Sequence, residues 1–450
     1  MLLNEKEAKA ICEKLLRSVK AEDAIVRVTS EDSSHLRFAA NAFTTSGRSE
    51  DATARVTVWI EKKRGETSTN ELDDASLRAA VEQAEQLARI APVDREYLPT
   101  LGPQSYRPVK GYAETASNIS NAARAKSISD VIAACEKDQV VGAGFHEARA
   151  SAEATATKNG NFDDQRRSFV GLSVTARTAE GAGSGYFQRS HFDPARLDTQ
   201  RIAREAIRKA LTSRNSRPLE PGVYSVLLEP QAVGDLLSFF AFSFDARRAD
   251  EGRSPFSKSG GQTRLGEQVF DERIHLYSDP WNPEIPGSHA TRDGIPAEKI
   301  HLVRNGVVEN LIYSRFWARE KDKQPTPGPV NTILESAGPA ASIEEMIERA
   351  ERCLLVSRFF YIRSVDPRTA LLTGLTRDGV WSIENGKIAR AVRNFRFNQS
   401  VLQMLAPGNV ERIGAPERVE GEGAGGNSGG MLVPALQLKR FHFTSQSEAI

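Results

Sequence analysis

Three features are scarce in this sequence: closely spaced cysteines, an excess of charge of one sign, and long apolar runs. The three cysteines, Cys12, Cys135 and Cys353, form no CxxC pair, which argues against a disulfide framework and a zinc knuckle. The 60 Lys and Arg residues are balanced by 59 Asp and Glu residues. No net field therefore attracts nucleic acid or an anionic membrane, and we predict neither as a partner.

No apolar stretch approaches the roughly 18 residues that a membrane-spanning helix needs. The first residues are acidic where a signal peptide would be basic and then apolar, so the expected location is cytoplasmic. Hydrophobic residues make up 39% of the 450 residues and charged residues 26%. This composition is typical of a globular protein with packed cores, and the length suggests two or three domains.

The N-terminal 216 residues show the same order of elements twice. In a first predicted domain, residues 1–110, apolar spacing predicts helices at 5–19 and 72–90 around strands at 24–29, 36–45 and 52–61. A proline-rich stretch precedes the second predicted domain, residues 111–216. There, helices at 117–137 and 201–211 flank three strand-like runs between residues 140 and 190.

The predicted C-terminal domain, residues 217–450, is richer in strands. Asn305-Gly306 and Asn385-Gly386 each separate two apolar runs, which predicts two tight β-hairpins. Helices are predicted at 231–244 and 342–353, the second with Ser342 and Glu345 in a capping box. The predicted class is α+β: N-terminal α/β units with antiparallel strands and flanking helices, followed by a β-rich C-terminal domain.

The sequence contains no Walker A loop, GxSxG elbow, HExxH helix or dinucleotide-binding GxGxxG motif. No two of its seven histidines are four or five residues apart, so no helix offers two imidazoles to one metal. Three other features have two interpretations each. The glycine-rich segment 421–430 is a loop or an anion cradle, the phenylalanines at 239–244 are core or groove, and the arginines at 363–396 form a solvated face or a carboxylate site.

The order and spacing of several short motifs resemble the TldD/PmbA family, also described as TldD/TldE metallopeptidase subunits and as modulators of DNA gyrase. The resemblance extends over the whole chain. In the N-terminal third it includes the segments 43–46, 54–59 and 86–89; in the C-terminal third it includes 293–296, 302–308, 331–335, 343–347 and 383–388.

This resemblance implies a dimer that encloses an internal chamber in which unfolded peptide is degraded. In TldD-like subunits it implies a zinc site made by an HExxxH helix and a distant cysteine, with the glutamate as general base. Here the two histidine positions hold Pro230 and Asp235, and the glutamate position holds Gln231. Ser428 stands about where the cysteine would be.

Without these ligands, we expect a non-catalytic PmbA/TldE-like subunit with no catalytic residue and no cofactor of its own. Zinc is expected only in a TldD-like HExxxH partner, and the chain would bind unfolded peptide by strand addition. One alternative is a hydrolase that uses Asp235, His275 or His289 with a metal. Another is a stand-alone peptide-binding or scaffold homodimer.

Overall fold

The computed structural model describes residues 2–336, 338, 340–421 and 430–447. The α-helices are α1 Glu5–Ser18, α2 Asp74–Ile90, α3 Glu114–Ser117, α4 Asn121–Lys137, α5 Thr199–Thr212, α6 Pro230–Leu237, α7 Ala246–Asp250, α8 Arg315–Glu320, α9 Ile343–Glu348 and α10 Val401–Met404. Among the helices of these residues, none is both long and apolar enough to cross a membrane.

Strands outnumber α-helices among the described residues. They are β1 Asp23–Ala39, β2 Ala42–Ile60, β3 Lys63–Thr69, β4 Val140–Thr157, β5 Phe162–Thr178, β6 Ser184–His191, β7 Gly222–Leu228, β8 Ile274–Ser278, β9 Ile300–Arg304, β10 Val307–Val308, β11 Thr332–Ser336, β12 Arg352–Asp366, β13 Leu371–Glu384, β14 Lys387–Ala391, β15 Phe395–Ser400, β16 Val410–Val419 and β17 Met431–Gln446. The predicted fold class is confirmed.

Helix starts follow the capping residues of the sequence. The side chain of Asp73 accepts hydrogen bonds from two backbone amides in the first turn of α2, and that of Ser120 accepts one from the amide of Ala123 in α4. Ser342 and Glu345 form the predicted capping box on α9. These caps satisfy amides that have no partner within their own helix.

The two N-terminal units share one antiparallel sheet with the strand order β3-β2-β1-β4-β5-β6. Its centre is the long pairing of β1 with β4, which runs from Ile25 opposite Thr157 to Phe38 opposite Gly144. Each unit therefore contributes three strands on its own side of this junction. The order helix, three strands, helix occurs on both sides.

The N-terminal sheet buries one face under helices and leaves the other face polar. Val26 and Val28 of β1 pack in a core with α1 and α2, whereas α4 and α5 cover a second core around Val174. Successive side chains alternate between faces, so Arg27 and Thr29 point away from the helices. They line a cavity instead.

The C-terminal region forms an 11-stranded mixed sheet, in which β17 pairs with four other strands, β7, β11, β15 and β16. The largest hydrophobic core of the molecule lies here and includes Phe240, Phe244, Phe397 and Phe441. Both Asn-Gly sites form the expected tight turns, with positive φ at both residues of each pair. The turns join β9 to β10 and β13 to β14.

Three element predictions were wrong. The helix predicted at 342–353 ends at Glu348, and strand β12 begins at Arg352. The predicted strand 36–45 contains the turn between β1 and β2, where Ala40 and Asn41 have φ of 51° and 56°. On either side of this turn, β1 and β2 form one continuous hairpin through residues 30–51, whose mostly polar side chains lack the apolar alternation that would reveal its register. The predicted helix 231–244 ends at Leu237, and a separate 3-10 turn covers Ala241–Phe244.

Candidate functional site

The helix with the altered metal-site positions is short and starts directly after the buried end of a strand. Strand β7 ends at Leu228, and Pro230 occupies the first turn of α6, where proline's missing amide costs no hydrogen bond. Both Pro230 and Asp235 are buried. The helix thus holds these positions in the interior, beside β12 and β17.

Gln231 is held by hydrogen bonds from its side-chain amide nitrogen. The Nε2 atom donates to Asp235 Oδ1 at 2.8 Å and to the backbone oxygen of Glu420 at 2.6 Å. The other carboxylate oxygen of Asp235 accepts from the backbone amide of Phe359 at 2.9 Å. Gln231, at the position of the base, and Asp235, at the second histidine position, are therefore hydrogen-bonded to each other and to the backbone.

This arrangement does not fit zinc. Proline offers no side-chain ligand atom, and the neutral amide of Gln231 cannot replace the carboxylate of the general base. Ser428 lies outside the described residues. The chain that leads toward it does reach α6, because a Cβ built on Gly421 would lie 2.8 Å from the backbone oxygen of Gly234.

A buried charged cluster adjoins this helix. Glu420 contacts Ser190 of β6 and lies 3.6 Å from Arg418. Burial raises the pKa of Glu420, although Arg418 opposes the shift, and burial lowers the pKa of Arg418. The cluster joins β6 to the end of β16 and to Glu420, which follows it. The described part of this segment ends at residue 421.

Arg418 also lines a cavity with a volume of about 710 Å³. One wall is the polar face of the N-terminal sheet, formed by alternate residues of β1, β2, β4 and β5. The opposite wall comes from the segment between Pro286 and Gly294, and Phe169 and Phe192 add aromatic surface. The cavity therefore lies between the two halves of the chain and shares Arg418 with the charged cluster beside α6.

The residues of the alternative hydrolase hypothesis make separate contacts. His289 Nε2 contacts Asp163 Oδ1, and its ring stacks on Tyr106 with centroids 5.5 Å apart. His275 Nδ1 accepts a weak hydrogen bond of 3.5 Å from the amide of Asn305, while Asp235 bonds to Gln231. In the part of the chain that the structure describes, no three His, Cys, Asp or Glu side chains are grouped to hold a metal.

The cysteines do not supply a nucleophile either. Burial raises the pKa of Cys12 and Cys353 to about 12 and that of Cys135 to about 11. All three are free thiols inside the protein. At neutral pH they are protonated, and a thiol is a weak nucleophile in that form.

The structure describes two of the three sequence features that had two possible interpretations, the phenylalanines at 239–244 and the arginines at 363–396. Phe240 and Phe244 are core residues, whereas Phe242 is 69% exposed. Arg363 and Arg377 stack on Tyr361 and Phe360, each with 4.2 Å between the guanidinium carbon and the ring centroid. Residues 422–429 of the glycine-rich segment lie outside the described residues.

Sequence models of three PmbA/TldA metallopeptidase domains match the chain: domain 1 at residues 24–88, the central domain at 109–214 and the C-terminal domain at 221–445. The chain belongs to the PmbA/TldD family. A relative from Methanothermobacter thermautotrophicus named "Metalloprotease" is 22% identical over 338 residues, which cover 70% of this chain and 71% of the relative.

Solved structures of PmbA/TldD-like proteins share the fold over nearly the whole chain. TldE from Thermococcus kodakarensis superposes with a TM-score of 0.85 at 17% identity, covering 97% of this chain and 99% of that one. A proposed modulator of a DNA gyrase from Thermotoga maritima gives 0.83 at 17% identity, covering 97% and 100%. At this identity the likeness establishes the fold.

The cavity of this PmbA/TldD chain has no signature in any single stretch of its sequence. Its lining comes from strands that are distant in sequence, such as β1 and β5, and no single segment contains a recognisable motif. The available signal was the regular alternation of polar residues in Arg27–Thr29–Glu31 and in Arg149–Ser151–Glu153. Alternation of this kind indicates a polar sheet face but not what lies opposite it.

Proposed function

We propose that this chain is a non-catalytic, TldE-like subunit of a zinc metallopeptidase complex. The observation that supports the proposal is the hydrogen-bonded state of Gln231, whose amide nitrogen is shared between Asp235 and the backbone oxygen of Glu420. Neither a water-activating metal nor a general base has a place in such an arrangement. Catalysis would then depend on an HExxxH partner that supplies the zinc.

The role of this subunit in the complex is to bind unfolded peptide. The cavity between the polar sheet face and the segment 286–294 offers the volume for it. One side of this cavity is the outer part of β2, including Ser49, Asp51 and Thr53. Strand β3 pairs with β2 only from Ala54 to Ile60.

The outer edge of β2 from residue 42 to residue 53 therefore has no strand partner within the described residues. Backbone amides and carbonyls along such an edge can pair with an added extended chain. This geometry supports strand addition as the binding mode. It also suits cytoplasmic proteolysis, in which the substrates are peptides without a fold of their own.

The test is to measure bound zinc and peptidase activity on an unfolded peptide, for the chain alone and for the chain mixed with an HExxxH homologue of the same genome. We expect the chain alone to be inactive and free of zinc. Mixing should produce a hetero-oligomer, visible by size-exclusion chromatography, and activity that a chelator abolishes.

The matched control is the same mixture with the partner's HExxxH glutamate changed to glutamine, which should form the same complex without activity. Stoichiometric zinc and chelator-sensitive cleavage by the chain alone would refute the proposal. A homodimer that binds peptide but ignores the partner would instead indicate a stand-alone binding protein.

A further inference from the structure

The cavity between the two halves of the chain is lined by more arginines than carboxylates. Its lining includes five arginines and four carboxylates. The arginines are Arg27, Arg149, Arg167, Arg292 and Arg418, and the carboxylates are Glu31, Asp51, Glu153 and Asp163. Which of these charges are already paired decides what the cavity can bind.

Three of the four carboxylates have partners. Glu153 lies 3.4 Å from Arg27 Nε, and Glu31 lies 3.6 Å from Arg149 Nε. Asp163 contacts His289. The fourth, Asp51, lies on the exposed outer part of β2, at the rim.

Arg167 is the arginine of the inner wall that lacks a partner. It lies on β5 opposite Ser151 of β4 and is half-buried. Among the described residues it has neither a hydrogen bond nor an ion pair, and its Nε atom is buried without an acceptor. Burial lowers the pKa of Arg167, with Glu153 opposing the shift, yet an arginine remains charged in proteins.

A half-buried, unpaired guanidinium is costly unless a ligand compensates it. Its planar fork of N–H donors matches a carboxylate, with which it can form two parallel hydrogen bonds. Ser151 and Gln165 beside it add polar groups, and Phe169 adds an aromatic surface for an apolar side chain. The volume of about 710 Å³ is within the usual range of small-ligand sites.

We propose that this cavity binds a peptide carboxylate and that Arg167 is the residue that anchors it. The inference rests on the proposed peptide-binding function and adds the chemistry of the ligand. Two sources could supply the group: the C-terminal carboxylate of a peptide, or the side chain of an internal Asp or Glu. The experiment has an arm for each.

The measurement is fluorescence anisotropy of three labelled unfolded peptides with the full chain. One peptide has a free C-terminus and no acidic side chain, the second is its C-terminal amide, and the third is the amide with one internal Glu. We expect the free acid to bind at least about tenfold more tightly than the amide. Tight binding of the third peptide would identify the side chain as a further source.

The variant Arg167→Gln should bring the affinity of the free acid down to that of the amide, and Arg167→Lys should restore part of the difference. The matched control is Arg166→Gln on the same strand, since Arg166 is exposed, stacks on Tyr112 and does not line the cavity. The Arg166→Gln variant should still bind the free acid more tightly than the amide. Circular dichroism of each variant checks that the fold is retained.

Equal affinity of the wild-type chain for all three peptides would overturn the carboxylate proposal while leaving peptide binding intact. Discrimination that persists in Arg167→Gln would overturn the role of Arg167. Absence of binding by any of the peptides would contradict the peptide-binding function itself, and this outcome is distinct from the other two.

Discussion

At the scale of single residues, burial changes the pKa of titratable side chains. His146 on β4 is 1% exposed, and burial, followed by the nearby Arg124, lowers its pKa from 6.5 to about 4. The imidazole is therefore neutral in the native state at physiological pH. When the chain unfolds, the same side chain regains an ordinary pKa and binds a proton between these two values.

The consequence of this shift is a loss of stability in acid. As pH falls from 6.5 to 4, the unfolded state binds the proton of His146 and the native state does not, so the free energy of unfolding decreases. We expect His146→Leu to reduce that decrease by roughly 1–3 kcal/mol. Urea unfolding of both proteins at a series of pH values measures it.

His442 is exposed, so His442→Gln is the control and should leave the pH dependence of unfolding as in the wild type. Parallel stability curves for the wild type and His146→Leu would show that the buried imidazole does not have the shifted pKa.

At the scale of elements, both N-terminal units use a glycine where a helix packs against the outer strand of the sheet. Gly65 of β3 faces α2, where an added Cβ would lie 2.0 Å from the backbone oxygen of Ala84. Gly185 of β6 faces α5, where it would lie 2.1 Å from the backbone oxygen of Ala206. In both units the helix backbone rests directly on the outer strand because the strand residue has no side chain.

Substitution of either glycine by alanine should therefore destabilise the protein. The clashing atoms belong to helix backbone, which cannot move aside without displacing the whole helix, so we expect Gly65→Ala and Gly185→Ala each to cost at least about 1–3 kcal/mol. The measurement is the free energy of unfolding in urea.

The matched control is Gly102→Ala, whose Cβ would have its nearest neighbour at 3.6 Å. It should be close to neutral. If all three variants were equally stable, Gly65 and Gly185 would not be needed for direct contact between helix and strand.

For the whole molecule, buried polar contacts connect the N-terminal sheet to the C-terminal sheet. Lys209 of α5 is 2% exposed, contacts Glu229 just before α6, and donates to Ser357 Oγ of β12 at 2.7 Å. Ser184 of β6 contacts Asp378 of β13 in the same region. These bonds connect the second N-terminal unit to the C-terminal sheet.

Removing one partner of the buried pair should destabilise the protein more than removing both. Lys209→Met leaves the Glu229 carboxylate buried without its cation, which costs about 3–5 kcal/mol for pairs of this kind. In the double variant Lys209→Met/Glu229→Gln no uncompensated charge remains, and part of the loss should be recovered. Denaturant unfolding of the two single variants and the double variant gives the coupling energy.

Additive effects in this cycle would mean that the two side chains do not interact. A second unfolding transition in Lys209→Met, absent from the wild type, would further indicate that the halves can separate when the pair is broken.

The sequence by itself determined the local elements and the family. Apolar spacing placed α1, α2 and α5 within a few residues of their ends, Ser342 and Glu345 placed α9, and the two Asn-Gly pairs placed hairpins. These features are local, because capping and tight turns depend on residues three or four apart. The order of short motifs was sufficient for the TldD/PmbA resemblance, which the family models confirm.

Only the tertiary structure decided how distant segments meet. The pairing of β1 with β4 joins residues more than 100 positions apart into one sheet, and no local pattern selects that partner. The same holds for the bond between Gln231 and Glu420, for the burial of Lys209 against Glu229, and for the cavity around Arg167. The physical reason is that strand pairing, burial and charge compensation depend on neighbours in space, which can come from any part of the chain. A short stretch of sequence shows only the residues next to each other along the chain.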